Sequence, residues 1–210
     1  MEPYRSQLIS GLKSLKIKLS EEQIRRCLDF LELIEKWSKA FNLTAIRQVE
    51  DMVAMHLLDS LAVLPYIQGV RVADVGTGAG LPGIPLAIAL PNVSFTLLDS
   101  NAKKTRFVQQ AVIELKLKNV NVYLGRVQLY HPKTGFDTVI ARAYAALPDI
   151  VATCGHLLAA DGILLAMKGQ APDAERAELK VASTLIPLAV PGIEGERCLI
   201  KLQSQAITGD

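Results

Sequence analysis

From Ala73 to Gly83 the chain reads ADVGTGAGLPG, an apolar run closed by a carboxylate and followed by four closely spaced glycines. Glycine accepts positive φ and lets backbone approach a ligand, and proline suits the first turn of a helix. Gly76, Gly78, Gly80 and Pro82 therefore describe a strand, a loop for a nucleotide-type cofactor and the start of a helix. The spacing Gly78-x-Gly80-x-x-Gly83 also satisfies the dinucleotide fingerprint formally, a weak signal by itself. Two residues favour a different ligand. Pro82 removes an N–H from the turn that would have to face a pyrophosphate. Asp74 puts a carboxylate at the strand end, which repels a pyrophosphate but suits an ammonium group, directly or through water. The methionine part of S-adenosylmethionine carries such a group, so the loop points to that cofactor ahead of a nicotinamide or flavin dinucleotide.

Asp99 stands 25 residues after Asp74, at the end of a second apolar run. There it can accept both hydroxyls of a ribose, or cap the helix that follows. Lys103, Lys104 and Arg106 fall in the first turns of that helix, where the macrodipole disfavours cations by up to ~1 kcal/mol. Phosphate contact or a solvated face would each account for them. His56 and Asp59 are i, i+3 neighbours on a predicted helix, with Asn42 in a loop ahead. They are expected to shape a substrate pocket or close over the cofactor; the alternative is a surface pair and a turn. Cys27, Cys154 and Cys198 are scattered, with no C-x-x-C pair, so reduced thiols are expected, and no metal site.

The elements that must position these residues fall into two parts. Ser20 and Gln23 have capping-box spacing, and behind them Ile24, Cys27, Leu28, Leu31, Ile34, Trp37 and Phe41 recur at helical intervals. A weaker helix is predicted over 4–15 and another over 49–64, ending before Pro65. From residue 70 short apolar runs alternate with helical stretches. Strands are predicted at 70–75, 94–98, 120–124, 137–141, 162–167 and 198–202, with a seventh near 184–190. Helices are predicted at 83–90, 102–116, 146–158 and 172–184. This is the pattern of an α/β fold: a doubly wound, mostly parallel, seven-stranded Rossmann-like sheet. The chain reads as one domain, with an N-terminal helical extension over 1–69 and a cofactor-binding core over 70–210. In such a sheet ligands bind at the carboxyl ends of the strands.

The chain has 210 residues, half of them apolar, enough for a full core. No apolar run reaches the ~18 residues of a membrane span, and the N-terminus lacks a signal-peptide pattern, so a cytoplasmic protein without membrane association is expected. Net charge is only +2, but residues 71–142 hold nine basic against four acidic residues. A positive field on the part that carries the cofactor loop suits a polyanionic substrate. Only 5% of residues are aromatic, and no base-stacking platform or RNA-binding module is visible.

The segments WSKAFNLTAIR (37–47), HLLDSL (56–61), DVGTGAGLPGIPL (74–86), FTLLDS (95–100), KKTRF (103–107), FDTVIARA (136–143) and LAMKG (165–169) carry more than a fold. In that order they resemble the bacterial ribosomal RNA small-subunit methyltransferase G family, formerly called glucose-inhibited division protein B. The resemblance spans nearly the whole chain, and the Asn-Leu-Thr and His-Leu-Leu-Asp-Ser segments are its most specific parts. It implies a class I methyltransferase that moves methyl from S-adenosylmethionine to N7 of one guanine in 16S ribosomal RNA, on naked RNA or on the small ribosomal subunit; a monomer is expected. It also implies that Gly76 and Leu81 surround the cofactor, with Asp74 near its methionine end and Asp99 at its ribose. Val127 and Gln128 match the pair that flanks the adenine, and Arg142 an arginine at the edge of the active site. Gln128 departs from the family pattern, which usually has Glu there. An amide can still accept a hydrogen bond from the adenine amino group.

N7 of guanine carries a ring lone pair and no proton, so its methylation needs neither general base nor covalent nucleophile. Enzymes that attack pyrimidine C5 use a cysteine, typically after proline, whereas Cys154 follows Thr153 and Cys198 follows Arg197. Enzymes acting on exocyclic amines carry an Asp/Asn-Pro-Pro-aromatic turn after the fourth strand, where this chain has Ala141-Arg142-Ala143-Tyr144. Catalysis by proximity is left, with His56 and Arg142 as positioning residues. A class I methyltransferase for a small molecule or protein, and a cofactor-binding module without turnover, are the competing expectations.

Overall fold

In the computed structural model, which describes residues 2–44, 46 and 49–208, local signals account for the helical prefix. Helix α1 covers Glu2–Ser14 and α2 covers Glu21–Phe41. The capping box closes as spaced: Gln23 N–H donates to Ser20 Oγ at 3.2 Å and Ser20 N–H to Gln23 Oε1 at 2.8 Å. The Gln23 amide nitrogen also donates to the carbonyls of Ile88 and Ala89. One residue thus starts α2 and satisfies the orphan carbonyls that end a core helix, joining the prefix to the sheet domain. Asn42, in the left-handed region at φ 49°, ends α2.

The single helix predicted over 49–64 is broken up. It comprises α3 (Val49–Met52), a π-helical turn (Val53–Leu58) and α4 (Asp59–Leu61), then a 3₁₀ turn at Leu64–Tyr66 that holds Pro65. Apolar spacing does not register a change from i→i−4 to i→i−5 bonding. Helix α1 lies close against this segment, where a Cβ on Gly11 would stand 2.3 Å from Leu58 Cδ1.

The strands are β1 (Arg71–Val75), β2 (Ser94–Asp99), β3 (Val120–Leu124), β4 (Phe136–Arg142), β5 (Leu158–Lys168), β6 (Thr184–Pro187) and β7 (Cys198–Gln203). Their order is β3-β2-β1-β4-β5-β7-β6. The first five pair in parallel; β7 is antiparallel to β5 and to β6. Helices α5 (Gly83–Ala89), α6 (Ala102–Glu114), α7 (Leu147–Cys154), α8 (Asp173–Glu178) and α9 (Ser204–Thr208) complete the domain. The expected seven-stranded α/β sheet with a helical N-terminal extension is present.

Two helix predictions run too long. The one over 172–184 shrinks to α8, which buries no residue and so gains nothing by extending. The one over 146–158 ends at Cys154 with a 3₁₀ turn, and β5 begins at Leu158, because the register against β4 shifts between Phe136 and Thr138 and draws extra residues into the strand.

Alternate residues of the central strands face opposite layers, as the period of two requires. Val72, Phe95, Leu97, Ile140 and Leu165 join the layer with α2, α5 and α6; Ala73, Val75, Leu98, Val139 and Leu164 join the layer with α7. All three cysteines are buried and reduced. Among the described residues no helix is long and apolar enough to cross a membrane.

Candidate active site

Strands β1 and β4 are adjacent, yet β1 leads away to β2 and β4 leads away to β5, so the chain diverges above their carboxyl ends. This is the crevice where open α/β sheets bind ligands. On the β1 side the backbone turns through Gly76 (φ 69°), Gly78 (φ 59°) and Gly80 (φ 83°). Asp74 lies wholly buried beneath that turn, and its Oδ2 accepts the Thr77 hydroxyl at 2.6 Å and the Gly83 N–H at 2.9 Å. The carboxylate ties the end of the loop to its beginning. Its Oδ1 is buried without a hydrogen-bond partner. Burial pushes the Asp74 carboxyl up to about 6, against the opposing pull of Thr77 and Gly83. Gly83 makes room for this arrangement, since a Cβ there would stand 2.7 Å from Asp74 Oδ2 and 2.2 Å from Leu97.

Asp99 ends β2 and accepts the Gly78 N–H and the Asn101 N–H, each at 2.8 Å, one on each carboxylate oxygen. The cap of α6 is Asn101, whose side chain accepts from the N–H groups of Lys103 and Lys104. Asp99 is thereby aimed over the strand ends, and each oxygen retains a lone pair.

Two cavities open here. The first, about 430 Å³, is lined by Gly76, Asp99, Lys104, Val127 and Gln128, and also by Ser100, Arg126 and Tyr144. The second, about 360 Å³, is lined by His56, Asp59 and Arg142, together with Met55, Lys168 and Arg197. Ala143 borders both. It stands in the left-handed region at φ 51°, where an L-residue costs roughly 1–2 kcal/mol. The chain turns there so that Arg142 borders the second cavity and Tyr144 the first.

The second cavity is organised by one carboxylate. Asp59, only 6% exposed, accepts a hydrogen bond from Arg142 on Oδ2 at 3.0 Å, and its Oδ1, without a hydrogen-bond partner, forms an ion pair with Arg197 Nε at 3.3 Å. Arg142 also donates to the carbonyl of Met55, inside the π-helical turn. His56 is 4% exposed; its Nε2 bonds the Thr44 hydroxyl at 3.1 Å and its Nδ1 has no hydrogen-bond partner. Burial, with the Arg142 charge adding to it, holds the imidazole down at about 4, so it is neutral at neutral pH.

Other expected residues lie apart from the cavities. Lys103 and Arg106 are exposed on α6 and line neither. Gly78, Gly80 and Leu81 build the loop behind the first cavity, where Gly80 packs on Ile84 and Leu81 is 4% exposed. Asn42 is the exposed C-cap of α2, two residues before the Thr44 that bonds His56. Among the described residues no cluster of His, Cys, Asp and Glu could hold a metal ion.

The sequence model of the rRNA small subunit methyltransferase G family matches residues 23–199. This chain belongs to that family. Curated relatives carrying the name ribosomal RNA small subunit methyltransferase G include those of Legionella pneumophila, 50% identical over 95% of each chain, and of Nitrosococcus oceani, 49% identical over 93% of each. Solved structures agree on the fold. A methyltransferase from Geobacter sulfurreducens has a TM-score of 0.61 at 14% identity over 94% of this chain and 97% of its own. Magnesium protoporphyrin IX methyltransferase from Synechocystis has 0.58 at 16% identity, over 84% and 97%. In this rRNA methyltransferase the family match runs from the capping box of α2 into β7 and includes every residue named above in the two cavities.

Proposed function

We propose that the first cavity holds S-adenosylmethionine and the second receives a guanine of 16S ribosomal RNA, which is methylated at N7. The observation that supports this reading is the meeting of the two cavities at Ala143, side by side above β1 and β4, as a donor and an acceptor have to lie. The residues of the first cavity fit the donor. Asp99 has acceptor capacity for ribose hydroxyls, Val127 offers an apolar face and Gln128 a carbonyl for an adenine, and Gly76, without a side chain, lets the Tyr144 ring close over the loop. The unpartnered Oδ1 of Asp74, under the loop, supplies negative potential to an ammonium group above it. When bound, S-adenosylmethionine supplies an electrophilic methyl group on a sulfonium sulfur.

The second cavity suits an acceptor that arrives without a proton to lose. Asp59 is committed to two arginines, and His56, held down at about 4, is too weak a proton acceptor at neutral pH to be an efficient general base. Arg142 and Arg197, fixed by their shared carboxylate, present donors to acceptors such as guanine O6 or a phosphate oxygen. His56 adds a buried ring nitrogen without a hydrogen-bond partner beside the Arg142 charge. The work of these groups is orientation, which can supply ~7–11 kcal/mol of a barrier.

The direct trial uses labelled S-adenosylmethionine with purified small ribosomal subunits. We expect label in ribosomal RNA. His56→Ala and Arg142→Ala should fold and bind the donor yet transfer methyl about 100-fold more slowly, the order of loss that misplacement causes. Label confined to protein or small molecules, or full rates in both variants, would contradict the assignment.

A further inference from the structure

The segment that divides the two cavities is tied to a carboxylate, Glu175, that lines neither of them. Lys168, the last residue of β5, donates through Nζ to the carbonyl of Ala145 at 3.0 Å and to Glu175 Oε2 at 2.8 Å. The same Oε2 accepts the N–H of Leu147, the first residue of α7, at 2.6 Å. Helix α7 has no side-chain cap of its own at Ala146, so Glu175, borrowed from α8, takes that place. We infer that Glu175 is a positioning residue for methyl transfer: through Lys168 and Leu147 it fixes the Ala143–Ala146 turn and with it the wall between donor and acceptor. This rests on the proposed function above.

Three observations converge on the turn. Ala143 is held at φ 51°, and such a conformation persists only where its surroundings over-determine it. Its near end is fixed by β4, where Arg142 pairs with Met167 in the register with β5. Its far end is fixed by the bonds at Ala145 and Leu147, both of which lead to Glu175. Between those anchors lie Ala143, bordering both cavities, and Tyr144, whose ring fills the space where a Cβ on Gly76 would go. Hydrogen bonding to Lys168 holds the Glu175 carboxyl below the usual carboxylate range, so it stays ionised at neutral pH. Glu175 reaches no reacting atom; its effect passes through the turn.

The test compares Glu175→Ala and Glu175→Gln with Glu178→Ala, an exposed carboxylate of the same helix, all assayed well below their melting temperatures. A glutamine Oε1 in the place of Oε2 can accept both N–H bonds. Glu175→Ala should lower kcat on small subunits by about 10- to 100-fold with little change in KM, because alignment rather than capture is lost. Backbone amide exchange over residues 143–147 should speed up in the same variant. Glu175→Gln should recover most of both properties, and Glu178→Ala should match the parent. Wild-type kcat and exchange in Glu175→Ala, or a Glu175→Gln as impaired as alanine, would overturn the inference. If Glu175→Ala does not fold, Lys168→Met takes its place: unchanged exchange over 143–147 there would overturn it too. Exchange is read without substrate, so it judges the clamp even if the parent protein methylates some other acceptor.

Discussion

Asp74 and His56 are both buried ionisable groups, and burial pushes them toward neutrality from opposite directions. For His56, held at about 4 against an ordinary 6.5, the unfolded chain takes up a proton that the folded chain refuses. Its contribution is therefore present above pH 6.5 and is lost as pH falls through about 4. A shift of this size corresponds to about 3 kcal/mol at most. Asp74, raised from 3.8 to about 6, acts the other way: its contribution is present below pH 3.8 and is lost as pH rises through about 6. Between roughly pH 4 and 6 the two oppose each other. Replacing His56 by Gln should remove one side of that balance. The melting temperature of His56→Gln, measured against pH, should rise relative to the parent between pH 6.5 and 4.5; parallel curves would show that His56 is not held neutral by the fold.

At the scale of the element, the glycine loop is a set of positions with different physical demands, although they look alike in the sequence. Gly83 has no room for a side chain, because its neighbours are Leu97 and the carboxylate that ties the loop. Gly76 combines a positive φ with the Tyr144 ring, a neighbour that can move. Gly78 has only its φ of 59°, with nothing closer than the Gly76 carbonyl at 3.9 Å. Gly83→Ala should therefore cost the most stability, roughly 3 kcal/mol by overpacking, and Gly78→Ala the least, roughly 1–2 kcal/mol of backbone strain. Gly76→Ala should fall between them and also weaken donor binding. Denaturant melts of the three variants decide the order, and equal losses at Gly78 and Gly83 would refute this account of the loop.

The same scale explains what the sequence could and could not disclose. Capping, periodicity and glycine spacing lie within a few residues of one another, and α2, β1 and the loop follow from them. The π-helical turn leaves no trace in apolar spacing, yet it contains the Met55 carbonyl that anchors Arg142. The sequence suits Asp74 to an ammonium group directly or through water, and it does not disclose that Thr77 and Gly83 bond the same carboxylate. Which of a carboxylate's neighbours it meets depends on how the loop folds back, and that is set by Gly83, nine residues away.

Across the whole molecule, the carboxyl ends of the parallel strands carry Gly76, just after β1, and Asp99, Arg142 and Lys168, the last residues of β2, β4 and β5. Inspecting those ends misses Arg197, which precedes β7. Because β7 runs antiparallel and pairs Cys198 with Lys168, its beginning lies at the edge where the parallel strands end. Strand direction follows from the sheet's complete order, which no local pattern encodes. The helical prefix is legible as helix, and His56 and Asp59 as candidates for a pocket, but their partners are not; only the packed fold brings Asp59 against Arg142 from β4 and Arg197 from the start of β7. The second cavity is thus assembled from prefix and core together, and it adjoins the first at one residue, Ala143. The most direct test of that arrangement is the position of the transferred methyl on small-subunit RNA, read by chain cleavage specific for 7-methylguanosine after incubation with S-adenosylmethionine. A single cleavage site appearing only with protein and donor is the predicted result. Methyl on another atom, on many guanines, or on no RNA at all would contradict it.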